Sequence, residues 1–493
     1  MNERTEETFN LYLSKSNEIG YVAKIVNSIL YVDGIPDVRI NEIIMSDDGA
    51  YGLVTALTDD YVEILLLTEN TVKVGNKITR TKRSLVLDVG SNMVGKTIYA
   101  DKKLFDSVYA SSKKKKYRKI DLIPTGISTR KKIGETLETG ISIVDLIVPL
   151  GKGQRELLIG DRKTGKTEFI YQIMINQAKC NAIVIYALIG KSRINIKKAE
   201  EFVKNTKISE NTIIVASGSS EPLGSIYLTP YIAMTIAEYF RDMGKDAVVI
   251  LDDLSTHAKV YREISLISRK FPGREAYPGD IFFEHARLLE RAGCFKKGTI
   301  SCFPVAETVE GDITGYIQTN LMSITDGHLF FDSDLFKKGQ RPSVNTFMSV
   351  TRVGRQTQTK LRWGLNRELT SFLTLLLKTE NFVHFGSEIN EGIKTTLETG
   401  KKLYAFLNQP MKIIIPLNLQ IFFFCLVWVG AFPSSRRSVI GKYLLTAINK
   451  YDNEKSFRTI VDNLINKSDD FNTLLGIMST KSNDYIKLMD QNI

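Results

Sequence analysis

Hydrophobic and polar positions along this chain fall into three successive patterns. Between residues 20 and 90, short apolar bursts at 25–32, 52–57, 61–67 and 72–78 are punctuated by Asp33-Gly34, Asp48-Gly49 and Gly75-Asn76. Short strands with frequent turn signals predict a small all-β barrel or sandwich. From about 155, near-continuous apolar runs at 156–159, 182–188, 212–216, 247–251 and 299–303 alternate with helix-period stretches at about 166–178, 194–206, 226–243 and 281–293. Apolar strands separated by helices predict a parallel sheet covered on both faces. Beyond about 360 the strand pattern fades, and 368–377, 389–407, 438–450 and 457–465 carry helical periodicity. The expectation is a multidomain chain with a β-barrel over 1–90, an α/β domain over 91–358 and a helical domain over 359–493. Residues 91–150 read mainly as connecting loops, and no internal repeat is visible.

One segment complicates this picture. Residues 413–432 contain no charge over twenty positions. Length alone would permit a membrane-spanning helix. Pro416, Asn418 and Gln420 interrupt its first half, so the strictly apolar part has the length of a buried helix. A core or subunit-contact helix is the favoured reading, and such a segment needs a hydrophobic partner.

Charge adds a preference for anionic partners. The 66 basic and 55 acidic side chains give a formal net charge of +11. The densest basic run, Lys113–Lys119, reads as a solvated loop, since no aromatic-lined nucleic-acid module accompanies it. Four cysteines (Cys180, Cys294, Cys302, Cys425) are widely scattered, which disfavours a disulfide framework or a zinc site and fits a reducing compartment. The four histidines suggest no metal cluster, and the polar, acid-bearing start is unlike a targeting segment.

The chemistry concentrates at 160–167. Gly160-Asp161-Arg162-Lys163-Thr164-Gly165-Lys166-Thr167 fits the phosphate-loop pattern GxxxxGK[ST], between a predicted strand and a predicted helix. Backbone N–H groups of such a loop cradle phosphates at a helix N-terminus, where the dipole favours negative charge. Lys166 would reach the terminal phosphates, and the Thr167 hydroxyl would hold Mg²⁺. A carboxylate is expected at the end of a neighbouring strand, and Asp252 supplies it after an apolar run, holding the Mg²⁺ through a water. An Asp-Asp pair at that place also suits a helix cap.

Several stretches together resemble the alpha subunit of the rotary F-type ATP synthase. They are Gly151–Thr167, Glu238–Lys245, Asp252-Asp-Leu-Ser, Pro272–Asp280, Ala286–Arg291, Ser323–Gly327, Arg341-Pro342 and Ser349–Gly354. Their order and spacing match from about 134 to 355, while the barrel and the C-terminal helices agree in outline. The resemblance implies a RecA-like central sheet and an alternating hexamer with a catalytic beta-like subunit. It further implies a central shaft, a peripheral stalk and a membrane sector contacted through other subunits, with no nucleic acid. The expected place is the cytoplasmic face of a bacterial plasma membrane, or the matrix face of the mitochondrial inner membrane.

Site roles follow from the resemblance residue by residue. Arg352 matches an arginine finger acting in trans on the neighbouring site, with Ser323, Ser349 and Val350 lining or supporting that site. Arg341 and Pro342 match the adenine-side pocket, as does Gln409; Met411 stands where a second glutamine is expected. Lys163 replaces the usual glutamine. Lys191 stands where the catalytic subunit carries a glutamate that polarises the attacking water. An ammonium cannot accept a proton, so ATP or ADP with Mg²⁺ should be bound here and scarcely hydrolysed.

The composition around 413–432 and the connector 100–105, which lacks the expected Gly and Pro, depart from ordinary alpha subunits. They suggest, as an alternative, a specialised F-type-like ATPase such as those of wall-less bacteria, whose hydrolysis drives a task other than proton-coupled synthesis; a scaffold with a vestigial site is a further alternative, opposed by the intact Gly165-Lys166-Thr167 and Asp252. A Rho-type hexameric RNA translocase would predict a retained catalytic glutamate, which Lys191 replaces.

Overall fold

The computed structural model describes residues 3–68, 72–109, 117–384, 391–410 and 412–490. The chain divides into two compact units. The first holds residues 1–132, 152–159 and 177–326, and the second holds 133–151, 160–176 and 327–493.

In the first unit the expected barrel is present and closed. Its strands run in the order Ile19–Val26, Ile29–Asp33, Val62–Leu66, Tyr51–Leu57, Glu42–Ser46 and Lys77–Ser84, and the last pairs back onto the first. Every pairing is antiparallel. Closure leaves no unpaired edge. Val22, Leu30, Ile44, Val54, Ile64 and Ile78 fill the interior. Gly34, Gly49 and Gly75 all take positive φ, as the turn reading required. The burst at 25–32 is two strands rather than one, because Asn27 adopts φ 51° and reverses the chain. The burst at 72–78 enters a strand only at Lys77.

The 91–150 stretch is more structured than loops. Thr97–Tyr99 joins the main sheet, and Lys102–Tyr109 is a helix. Phe105 and Tyr109 of that helix pack on Tyr51 at 5.9 and 5.6 Å between ring centroids. A helix explains why this connector lacks Gly and Pro. Residues 124–126 are the expected loop. Of the basic run, 113–116 lie outside the described residues, while Tyr117–Lys119 pairs with Val86–Asp88.

The main sheet of this unit places Glu156–Gly160, Thr299–Glu307, Ala247–Asp252, Ile183–Lys191, Thr212–Gly218 and Thr97–Tyr99 side by side. From Thr299–Glu307 to Thr97–Tyr99 the neighbours are parallel. Helices Arg193–Asn205, Leu223–Asp242, Leu254–Ile267 and Ile281–Leu289 connect and cover it. Residues 247–251 are almost fully buried, as strands covered on both faces must be. Leu254–Ile267 was not anticipated from periodicity. Its start is set by Asp253, whose carboxylate accepts the Thr256 N–H.

The second unit carries the phosphate loop, the antiparallel pair Gly327–Phe331 and Val350–Thr351, and the C-terminal helices. The helices are Lys360–His384, Glu391–Leu407, Leu417–Trp428, Arg437–Asn453, Lys455–Asn466 and Phe471–Asp490. The charge-free segment becomes the Leu417–Trp428 helix, whose residues from Leu419 to Val427 are at most 1% exposed. A helix apolar on all sides belongs in a core. Phe423 lies against Phe406 and Phe432, with centroids 5.2 and 5.0 Å away, and Phe422 meets Phe457 and Tyr485 edge-on. The hydrophobic partner this segment needs is therefore the chain's own helical domain. Among the described residues no helix is long and apolar enough to cross a membrane.

Candidate nucleotide-binding site

The phosphate loop leaves the Glu156–Gly160 strand and enters the Lys166–Lys179 helix. Gly160 must be glycine: with φ 157°, an added Cβ would stand 2.3 Å from the Phe331 carbonyl oxygen. Lys163 and Gly165 have positive φ, 61° and 88°. Left-handed residues among right-handed ones curl successive N–H groups into an anion-binding concavity. Lys163 takes this conformation with its side chain exposed, as are Arg162 and Thr167. Thr164 is buried, and its backbone oxygen accepts the Ser343 hydroxyl at 2.6 Å. Asp161 accepts from Ser333 Oγ at 2.9 Å. Lys166 is 9% exposed, and its Nζ donates to the carbonyls of Gly160 and Asp161 at 2.7 and 2.6 Å. A lysine folded over its own loop is a cation already placed beside the backbone cradle.

The second unit also contains the residues matched to a base pocket. The Arg341 guanidinium lies 3.6 Å from the centroid of the Phe336 ring and donates to the Phe336 and Gln340 carbonyls. Its own backbone N–H and carbonyl are held by Asn408 and by the Gln409 N–H. Gln409 is buried, and its amide is engaged with backbone: Oε1 accepts the Ser142 N–H, and Nε2 donates to the Gly140 carbonyl at 2.7 Å. Pro342 is buried beside Arg341. Met411 lies outside the described residues.

Arg352 follows the Val350–Thr351 strand, whose register pairs His328 with Val350. It is exposed, and among the described residues no hydrogen bond or ion pair holds its guanidinium. Val350 is 45% exposed beside it. Ser349 Oγ accepts the Phe330 N–H at 3.0 Å and donates to the Asn345 carbonyl, tying the hairpin together. Ser323, in the first unit, is exposed at the end of a helix and donates to Asn320. Its neighbour Asp326 holds Arg155 through Nε and Nη2.

The first unit carries the carboxylate end of the sheet. Leu188 pairs with Asp252 in parallel register, so Lys191 lies three residues beyond, at the level of the strand's end. Its Nζ lies 2.8 Å from Asp252 Oδ1 and 2.9 Å from Asp253 Oδ2. The other Asp252 oxygen accepts the Tyr186 hydroxyl at 2.8 Å, and the other Asp253 oxygen accepts the Thr256 N–H. Burial opposes the charge on Lys191, yet the two carboxylates outweigh it and raise its pKa. Burial also opposes ionisation of Asp253, but Lys191 and the Thr256 N–H hold its carboxyl below the usual range. Reading the strand from sequence found Asp252 and Lys191 but missed Asp253 and Tyr186 as their partners. Tyr186 is on the same strand as Lys191, five residues earlier, and only the cross-strand register signals it. Phe336, Ser333 and Ser343 were likewise missed, since nothing in their spacing marks them.

Residues 140–351 match the family model for the nucleotide-binding domain of the ATP synthase alpha/beta family. The chain is 38% identical over 410 residues to the ATP synthase subunit alpha of Rickettsia bellii, covering 80% of each protein. It is 39% identical over 398 residues to that of Mycoplasmopsis synoviae, covering 80% of this chain and 75% of the relative. With ATP synthase subunit alpha 1 of Mycoplasmopsis pulmonis, identity is 36% over 471 residues, covering 93% of this chain and 88% of the relative. On the strength of this shared length and of the barrel, sheet and helical regions that accompany it, the chain belongs to the family of ATP synthase alpha subunits.

Proposed function

We propose that this chain is the non-catalytic, nucleotide-holding member of an alternating rotary ATPase ring, and that it contributes Arg352 to the site of a neighbouring beta-like subunit. The observation that carries the reading is the ion triad of Lys191 with Asp252 and Asp253. Hydrolysis needs a group that orients or deprotonates water, and an ammonium tied to two carboxylates does neither. Nucleotide is retained by the loop Gly160–Thr167, with Lys163 and Arg162 adding positive charge. Arg341, Pro342 and the wall braced by Gln409 flank the base.

A magnesium ion suits the donors of this chain in part. The Thr167 hydroxyl is an exposed hard oxygen at the first turn of a helix. Magnesium at nucleotides keeps several waters and takes few protein ligands, so the Thr167 hydroxyl would hold it beside the phosphates. When bound, the ion would neutralise phosphate charge. Asp252 shares the Lys191 ammonium with Asp253.

An exposed guanidinium without a described internal partner suits a role in trans, since an arginine finger must leave its own chain. The partners in this reading are the beta-like subunit, a central shaft and a peripheral stalk. The complex sits peripherally on a bacterial plasma membrane or a mitochondrial inner membrane through its other subunits. Reconstituting the ring with Arg352→Ala tests it. Nucleotide binding by this chain should be unchanged while ring ATPase falls by about 10³-fold or more. Unaltered turnover would end the assignment.

A further inference from the structure

Residues 333–343 touch the phosphate loop at three points, all within the second unit. Ser333 Oγ donates to Asp161 Oδ2 at 2.9 Å, and the Phe336 ring lies against Gly165, where an added Cβ would stand 3.3 Å from its Cε2. The Ser343 hydroxyl donates to the Thr164 carbonyl at 2.6 Å. This last contact is dry, with Ser343 1% and Thr164 2% exposed. Ser343 is itself fixed: its carbonyl accepts the Asp332 N–H at 2.9 Å, and Val344 bridges to Phe331. A hydroxyl on an anchored segment thus holds one peptide of the loop by its oxygen. The Thr164–Gly165 peptide is trans and planar, so its carbonyl and N–H point in opposite directions. Drawing the oxygen onto Ser343 turns the Gly165 N–H the other way, and among the described residues no group accepts it. That N–H stands just ahead of the Lys166–Lys179 helix, whose dipole favours an anion there.

Resting on the nucleotide-binding role proposed above, we propose that Ser343 is a positioning residue for phosphate: it pins the Thr164–Gly165 peptide so that the Gly165 N–H is presented to the nucleotide's phosphates. A donor held in its bound orientation raises affinity because nothing has to be ordered on binding. Without the hydroxyl, the buried Thr164 carbonyl loses its donor, and the peptide can relieve this by rotating. Glycine on its C-terminal side makes that rotation easy. The rotated peptide would turn a carbonyl oxygen, with its partial negative charge, toward the phosphates.

The test is the affinity of the purified full-length chain for ATP and for inorganic tripolyphosphate, measured by titration calorimetry. Ser343→Ala should weaken both by about tenfold, the effect of one hydrogen bond to a charged group. Ser343→Thr keeps the hydroxyl and should stay within about threefold of the native chain. A loss below about threefold for Ser343→Ala with either ligand would overturn the proposal. A loss confined to ATP falls under this outcome, since it would place the effect on the base side beside Pro342. Equal losses for Ser343→Ala and Ser343→Thr would also overturn it, by making the fit of the side chain and not its hydroxyl the cause. Should Ser343→Ala fail to fold in a thermal melt, Ser343→Cys decides: its thiol is a weak donor, so a loss of about threefold or more supports the proposal and a smaller one overturns it. A native chain that binds ATP but not tripolyphosphate would overturn the proposal and leave the nucleotide role standing. Absence of ATP binding by the native chain would overturn the nucleotide role itself, and this proposal with it.

Discussion

The guanidinium of Arg291 grips both carboxylate oxygens of Glu238, with Nε at 3.0 Å and Nη2 at 2.8 Å. Arg291 is 1% exposed and Glu238 4%. The guanidinium also donates to Thr235 Oγ1 and to the Ile120 carbonyl, so each of its three nitrogens has a partner. One residue comes from the helix Leu223–Asp242, and the other follows the helix Ile281–Leu289. The pair therefore locks two connections of the sheet together.

Breaking that pair strands a charge in a dry interior, which typically costs about 3–5 kcal/mol. Arg291→Ala should lower unfolding stability by about that amount in a denaturant titration. Replacing both partners by apolar residues of similar volume (Arg291→Met with Glu238→Leu) should recover much of the loss, because no bare charge remains. A double variant as unstable as the single one would show that the geometry, and not the stranded charge, sets the cost.

The buried histidines predict an acid limb. His257 and His285 have ring centroids 5.7 Å apart, near Tyr227, Tyr231 and Glu284. Burial lowers the pKa of His257 to about 4; burial, with the neighbouring His257, lowers that of His285 to about 3. The folded state thus prefers both rings neutral, while the unfolded chain protonates near 6.5. Stability from this source is fully present above pH 6.5 and is lost progressively as the pH falls toward 4 and 3. Melting temperatures measured from pH 7 to 4 should fall, and His285→Leu should flatten the decline. Parallel profiles for the two proteins would rule out this origin.

Phe423 probes the helical core. It is fully buried between Phe406 and Phe432. Phe423→Ala should cost about 3–5 kcal/mol, the usual loss when a large core aromatic is truncated. A loss below about 1 kcal/mol would mean that the site collapses around the missing ring.

Lys166→Gln should weaken ATP binding by roughly 10–100-fold, corresponding to one hydrogen bond to a charged group. The melting temperature without nucleotide should move little, because the lysine's present acceptors are carbonyls at the edge of its own loop. Equal ATP affinity by isothermal titration would remove Lys166 from the phosphate site.

The barrel, the strands of the parallel sheet and the phosphate loop were legible because each rests on short-range rules. Asp-Gly turns, apolar runs and a loop of fixed spacing are local, and the strand Ala247–Asp252 ends at the acid its pattern indicated. The helix Leu254–Ile267 escaped notice because its signal is a cap, Asp253, that also reads as half of an acidic pair. Gln409 could be matched to a pocket but not oriented. Its amide faces the backbone of Gly140 and Ser142, a contact spanning more than 260 positions of sequence.

Local composition determined most strands, helices and turns, though not the helices Lys102–Tyr109 and Leu254–Ile267, and that Lys191 carries a charge unable to accept a proton. It did not determine where that charge goes. Two carboxylates receive it because parallel register sets Leu188 opposite Asp252. Nor did composition decide between a core and a lipid environment for residues 413–432, since both offer apolar neighbours. Tertiary packing decided it: Phe406, Phe432, Phe457 and Tyr485 surround the segment and satisfy the same hydrophobic demand inside the protein.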